Sequence, residues 1–173
     1  MAALDEPICF TDHNPRWFEY YAIEAARISS GLPADDIVVE HIGSTAVPGL
    51  VAKPIIDLMV GTKESTHLAG VRAAMVTLGY EDLGEAGVPG RIYLRRRDEQ
   101  AFNVALVEYD GNHWKSNLAI RDFLRSNPAA AREYGEIKAT AFEQGFRSLL
   151  AYSDFKGAFI AKLLRQALTV KPR

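Results

Sequence analysis

The stretch EHIGSTAVPGLVAKPIIDLMV, residues 40–60, places a Gly-Ser pair, a lysine and an aspartate between two apolar runs. A strand that ends in Gly43, Ser44 and Thr45 offers backbone N–H groups and two hydroxyls, the donor set that grips an anionic ligand such as phosphate. Gly43 has no Cβ, so a ligand can come close to the backbone there. Lys53 adds positive charge at the start of the next strand. Asp57 interrupts the apolar run PIIDLMV, where a carboxylate is costly to bury unless a cation or donors meet it. A magnesium ion bridging phosphates and Asp57 answers both charges at once. His41, directly before the turn, titrates near neutral pH and is a candidate proton shuttle or phosphate donor. A plainer reading stands beside each of these. Ser44 and Thr45 could satisfy their own backbone, Asp57 could pair with Lys53 or an arginine, and His41 could make a strand-end hydrogen bond. The chain lacks G-x-x-x-x-G-K-[ST], which argues against P-loop kinase or ATPase chemistry.

Cationic residues supply the rest of the candidate chemistry. Strand alternation sends Arg91, Tyr93 and Arg95 to one face. Arg91 and Arg95 could clamp phosphates bidentately while Tyr93 stacks on a base. The alternative is a charged edge strand that resists aggregation, the reading preferred for Arg96 and Arg97. Arg121 and Arg125 are four apart and share a helix face. With Lys138 on the following helix they form a basic wall, unless they merely bridge to neighbours such as Asp122. His13, His67 and His113 read as surface residues.

The elements that must position these groups follow from pattern. Asn14-Pro15 signals a helix start, and Phe18, Tyr21, Ala22, Ala25 and Ile28 recur at helical spacing. Residues 37–42 and 54–60 read as strands. Leu68, Val71, Met75 and Leu78 mark a second helix closed by Gly79. Residues 80–90 are turn-rich, and two strands follow within 91–108, joined near 97–100. Trp114 to Leu124 reads as a helix. Asn127-Pro128 opens another, with Tyr134, Ile137 and Ala141 inward, and Ser153 is read as the cap of a last helix bearing Phe155, Phe159, Ile160, Leu163 and Leu164. This order predicts an α+β fold, a mixed β-sheet packed by helices with a helical C-terminal part, in one domain over 1–173.

The 40–60 stretch resembles the signature of the GrpB family, also called UPF0157, a branch of the nucleotidyltransferase superfamily. The likeness continues through GEAGVPGR (84–91), IRDFLRSNPAAAREYGEIK (120–138) and YSDFKGAFI (152–160), and covers about 15–168. The resemblance implies a polymerase-β-like core in which the Gly-Ser turn grips nucleotide phosphates and strand carboxylates hold two divalent cations. Gly43 and Ser44 match the turn, and Asp57 matches the first acid of the superfamily's D-x-D pair. Arg121, Arg125 and Lys138 match the family's R-D-x-L-R and L-K patterns. The second acid would stand at Met59, a position also commonly apolar in GrpB proteins. An H-x-H run common in the family is Asn103 and Ala105 here, neither of which moves a proton, and Glu108 is the one acid left near that point as a second metal ligand. A related domain is fused to some dephospho-CoA kinases, where it has been suggested to aid folding.

Bulk properties set limits. In 173 residues, 48% are hydrophobic and 24% charged, as in ordinary globular chains, and the net charge of −2 argues against general nucleic-acid binding. One cysteine, Cys9, excludes an internal disulfide. The acidic N-terminus does not suit a signal peptide and no apolar stretch suits a membrane span, which points to a cytoplasmic protein. The leading reading is an enzyme that binds a nucleoside triphosphate with Mg²⁺ and transfers a nucleotidyl or phosphoryl group to a small acceptor of unknown identity. Its rival is a non-catalytic ligand- or protein-binding module on the same fold.

Overall fold

A computed structural model describes residues 5–33 and 36–169. Asn14 opens the first helix, its Oδ1 accepting from the Arg16 amide at 3.0 Å, and α1 runs Arg16–Gly31. The buried residues of α1 are Trp17, Glu24 and Ile28; of the predicted stripe, Ile28 lies in the core and Tyr21 packs against it, while Ala22 is exposed. A buried glutamate does not register as core by hydropathy. Glu24 is held there by Arg27, Arg96 and the Tyr80 hydroxyl.

Strands β1 (Ile37–Ile42) and β2 (Ile55–Thr62) flank the Gly-Ser turn; β2 outlasts the predicted 54–60 by two residues. Helix α2 spans Leu68–Thr77. The turn-rich stretch contains a two-residue strand, β3 (Glu81–Asp82), before β4 (Ile92–Arg97) and β5 (Ala101–Glu108). Helices α3 (Asn112–Ser126) and α4 (Pro128–Glu143) meet at Asn127, whose side chain accepts from the Ala130 amide, as the Asn-Pro signal requires. Helix α5 begins at Leu149 and runs to Thr169, so Ser153 is an interior residue and not a cap. The earlier start is stitched by the N-terminal segment: Leu149 N donates to Glu6 O and Ile8 N to Arg147 O.

The sheet order is β1-β2-β5-β4-β3, with β2 and β5 parallel and every other pairing antiparallel. The predicted α+β fold with a mixed sheet is therefore observed. Period-two alternation sorts the sheet into two faces. Ile56, Leu58, Val60, Leu94, Phe102, Val104 and Leu106 pack with Trp17, Ile28, Val71 and Met75 of α1 and α2. Burial of each such large side chain contributes about 1.5–3 kcal/mol. The opposite face carries Asp57, Met59, Tyr93, Asn103 and Val107 toward α3, α4 and α5. Every candidate site residue that faces a cavity does so from this second side. No helix among the described residues is long and apolar enough to cross a membrane.

Candidate anion-binding cleft

The turn after β1 owes its shape to one glycine. Gly43 adopts φ 69° and ψ −167°, a conformation almost exclusive to glycine. A Cβ at this position would lie 2.7 Å from Asp57 Oδ2. The backbone and the carboxylate therefore share a space that only glycine leaves open. Residues Ser44–Ala46 form a single 3₁₀ turn closed by Ala46 N to Gly43 O and Val47 N to Ser44 O. The Ser44 and Thr45 amides precede the first bond of that turn. Arg125 Nε fastens the loop from outside by donating to Ala46 O at 2.8 Å.

Two connected chambers open on the turn. The small one, about 60 Å³, is lined by Gly43, Ser44 and Thr45 of the turn, by Lys53 and Asp57, and by Lys138 and Lys156 from the helices. Phe10, Tyr134 and Tyr152 complete its wall. The large chamber, about 480 Å³, shares Gly43, Ser44, Asp57, Tyr134 and Lys156 with the first and extends to Arg91, Tyr93, His113 and Asn117.

Lys138 is buried to 1% exposure, and its Nζ donates to Ser44 Oγ at 2.7 Å and Val51 O at 2.5 Å while lying 4.2 Å from the Tyr134 ring centroid. Because Ser44 Oγ accepts from an ammonium, its own hydroxyl proton remains to be donated elsewhere. Burial pushes the Lys138 ammonium well below the ordinary lysine value, opposed in part by the Asp57 charge. Burial likewise lowers Lys53, again opposed by Asp57. Among the described residues, neither lysine forms an ion pair within 4 Å, and neither does Asp57. The chamber thus holds three ammonium-bearing side chains and one carboxylate, a set short of negative charge.

Asp57 Oδ1 accepts from Asn103 Nδ2 at 2.7 Å, across the parallel β2–β5 pairing where the two residues are register partners. The amide orientation of Asn103 is set by its other end, since Asn103 Oδ1 accepts from Tyr93 Oη and from Arg97 Nη2, each at 2.8 Å. Asn103 consequently presents a donor to Asp57 and is no metal ligand. Glu108 is exposed and pairs in register with Thr62, five residues along β5 from Asn103, or about 16 Å away. It cannot share a cation with Asp57. Among the described residues, no three His, Cys, Asp or Glu side chains gather to hold a metal ion. A two-ion site does not fit these residues; of the Asp57 carboxylate, Oδ1 is taken by Asn103 and Oδ2 has no hydrogen bond among the described residues.

The remaining predicted residues divide. Arg91 and Tyr93 line the large chamber, with the arginine 5.3 Å over the tyrosine ring. Burial pushes the Tyr93 phenol up to about 12. Arg95, expected to clamp phosphate, faces the same side but is engaged by Glu81 at 2.7 Å and Glu6 at 3.7 Å, outside both chambers. Arg97, read as solvated, instead reaches Asn103 and Glu6. Arg121 borders the large chamber with its guanidinium committed to Glu40, Asp122 and His41 O. Arg125 is a loop fastener through Ala46 O, and Lys138 alone of that predicted basic wall lines the small chamber. His41 and Thr45 bond to each other at 2.9 Å, and the imidazole is stacked on Tyr21 at 4.7 Å, on the α1 side of the sheet. Burial depresses the His41 pKa to about 4, so the ring is neutral at pH 7 and is removed from proton shuttling into the cleft. The Thr45 hydroxyl is accordingly turned inward. Sequence reading missed Lys156; its only trace was its place in YSDFKGAFI, one helical turn before buried Phe159.

The fold of this chain is similar to that of polymerase-β-like nucleotidyltransferases. The Cid1 poly(U) polymerase superposes with a TM-score of 0.52 at 10% identity, covering 75% of this chain and 42% of that one. Terminal uridylyl transferase 4 from Trypanosoma brucei with bound CTP gives 0.51 at 16%, covering 90% and 51%. At such identities the likeness concerns the fold alone. The GrpB protein family matches residues 7–166, and the chain belongs to that family. The conserved protein GrpB from Enterococcus faecalis superposes with a TM-score of 0.81 at 36% identity, over 92% of this chain and 97% of that one. A UPF0157 protein of Streptomyces coelicolor is 34% identical over 92% of this chain and 84% of its own length. The UPF0157 protein YqkA of Bacillus subtilis is 30% identical over 86% of this chain, which spans only 43% of YqkA.

Proposed function

We propose that the cleft binds a nucleoside triphosphate, with the phosphate tail in the small chamber and the nucleoside in the large one, and that the protein transfers a nucleotidyl or phosphoryl group to a small acceptor. The observation that carries this reading is the excess of ammonium groups over carboxylates at the Gly43–Ser44 turn. One carboxylate does not balance three clustered lysines, one of them fully buried, and a phosphate oxyanion supplies the missing negative charge. A volume of about 60 Å³ amounts to about two water volumes, room for an oxyanion group and not for a base. The large chamber lies in the size range of small-molecule sites. In this arrangement Lys53, Lys138 and Lys156 neutralise phosphate charge and the Ser44 hydroxyl donates to a phosphate oxygen. Asp57 Oδ2 is the protein ligand for a magnesium ion that accompanies the triphosphate, and such an ion supplies further neutralisation of phosphate charge.

Calorimetric titration of ATP, GTP, CTP and UTP, each with and without Mg²⁺, tests this reading. At least one binds, and Lys156→Met weakens it about tenfold or more, the loss expected for one charge-assisted contact. Failure of all four to bind the unaltered protein refutes the reading. The locked Asn103 favours a second reading, a binding module without catalysis. That reading gains if binding is indifferent to Mg²⁺ and to Asp57→Asn.

A further inference from the structure

The large chamber has a cationic pole of its own at the end away from the lysines. Arg91 follows a loop in which four of the seven residues 84–90 are left-handed: Gly84, Ala86, Gly87 and Gly90 take φ of 65°, 47°, 78° and 77°. The loop closes on itself through Gly90 N to Glu85 Oε1 at 2.7 Å, and His113 Nε2 reaches Pro89 O at 2.8 Å. Arg91 Nη2 donates to Glu85 O and Ala86 O, which fixes the guanidinium against the loop. Both acceptors are neutral carbonyls. Among the described residues Arg91 has no carboxylate partner, and its Nε is buried with no hydrogen-bond acceptor. Its plane lies over Tyr93, and apolar Val88, Ala105 and Ile120 lie on the same chamber wall. The three arginines of β4, which follows Arg91, are all paired: Arg95 with Glu81, Arg96 with Glu24, Arg97 with Glu6.

An arginine that is held rigid, desolvated and left without an anion is the usual form of an oxyanion receptor. Arg91 is absent from the lining of the small chamber and present in that of the large one, where Asp57 lies on the rim common to both. We infer that Arg91 receives an oxyanion, carboxylate or phosphate, carried by the second substrate. The acceptor is then a small acid held between Arg91 and the Asp57 rim, with its oxyanion turned away from the triphosphate tail. This assignment rests on the nucleotide reading for the word acceptor, but not for the site itself.

Succinate and methyl phosphate serve as probes for the two kinds of oxyanion, titrated by NMR against the protein, with the Arg91 Nε–H resonance as the local reporter. The unaltered protein, Arg91→Lys, Arg91→Met and Lys156→Met are compared, each first checked for a dispersed native spectrum. At least one probe shifts the Arg91 signal and loses about ten- to hundredfold in affinity in Arg91→Met. Arg91→Lys recovers only part of the loss, because a point charge replaces the fork. Lys156→Met weakens ATP binding far more than it weakens binding of that probe. Succinate alone responding identifies a carboxylic acid, and methyl phosphate alone a phosphate ester. If neither probe depends on Arg91, or if Lys156→Met weakens both equally, the assignment is overturned. Arg91-dependent probe binding in a protein that binds no nucleotide removes the nucleotide reading and leaves the receptor standing.

Discussion

Gly43→Ala is the sharpest perturbation of the cleft, because two independent costs meet at one methyl group. At φ 69° and ψ −167° an alanine is strained by about 1–3 kcal/mol. Its Cβ would also stand 2.7 Å from Asp57 Oδ2 and 3.0 Å from Asp57 Cβ, so the carboxylate must move. Moving it loosens the Asn103 Nδ2 hydrogen bond of 2.7 Å, a contact to a charged acceptor whose loss costs about 1.5–3 kcal/mol. The two effects share a site and do not simply add. The expected loss is about 2–5 kcal/mol by urea denaturation, or about 5–15 °C in Tm for a chain of this size. A double-mutant cycle separates the parts. In an Asp57→Ala background the carboxylate contact is gone, while the backbone strain and the 3.0 Å approach to the retained Cβ remain, so Gly43→Ala there costs about 1–3 kcal/mol less. A single-variant loss below about 0.5 kcal/mol, or no coupling in the cycle, refutes the claim that turn and carboxylate compete for one space.

Two further expectations concern protons. His41 has a folded pKa near 4 against an ordinary 6.5, so the unfolded chain binds more protons between those values. Stability is then fully present above pH 6.5 and declines as pH falls toward 4, by about 3 kcal/mol, a decline that His41→Phe removes and that a flat His41 NMR titration down to pH 5 accompanies. Lys138 is also depressed by burial, so the unfolded chain again holds the extra proton between its lowered pKa and 10.5. Stability therefore rises with pH up to about 10.5, and urea denaturation from pH 7 to 10 shows a shallower slope for Lys138→Met. A slope unchanged by the substitution refutes the buried-ammonium account.

Much of the scaffold was legible because local physics agreed with the final fold. The β-branched run IVVEHI is β1 residue for residue, and both Asn-Pro signals open helices. Elements failed where distant contacts outweighed local pattern. Glu24 reads as a surface residue until Arg27, Arg96 and Tyr80 surround it, and no periodicity announces partners 56 and 72 positions away. The start of α5 depends on backbone bonds to Glu6 and Ile8, which no cap residue encodes. In the cleft, Gly43, Ser44, Lys53 and Asp57 were visible because they lie within one short segment. Arg95 and Arg121 were not distinguishable from Arg91 by type or spacing; only the positions of Glu81, Glu6 and Glu40 separate paired arginines from an unpaired one. Glu108 was misplaced because proximity in sequence to Asn103 means distance along an extended strand.

The N-terminal segment has a bearing on how the cleft can be entered. Thr11 exchanges both backbone bonds with Ala52, beside Lys53, while Glu6 and Ile8 tie into the start of α5, the helix that carries Lys156. A single run of chain thus bolts the sheet side of the small chamber to its helix side, and Phe10 sits between the bolts as part of the wall. Parting the two sides like a hinged jaw would shear main-chain bonds at both ends of that run. The small chamber is therefore held at a fixed width on this side, and Gly43, Ser44, Asp57, Tyr134 and Lys156 are the lining residues that join it to the large one.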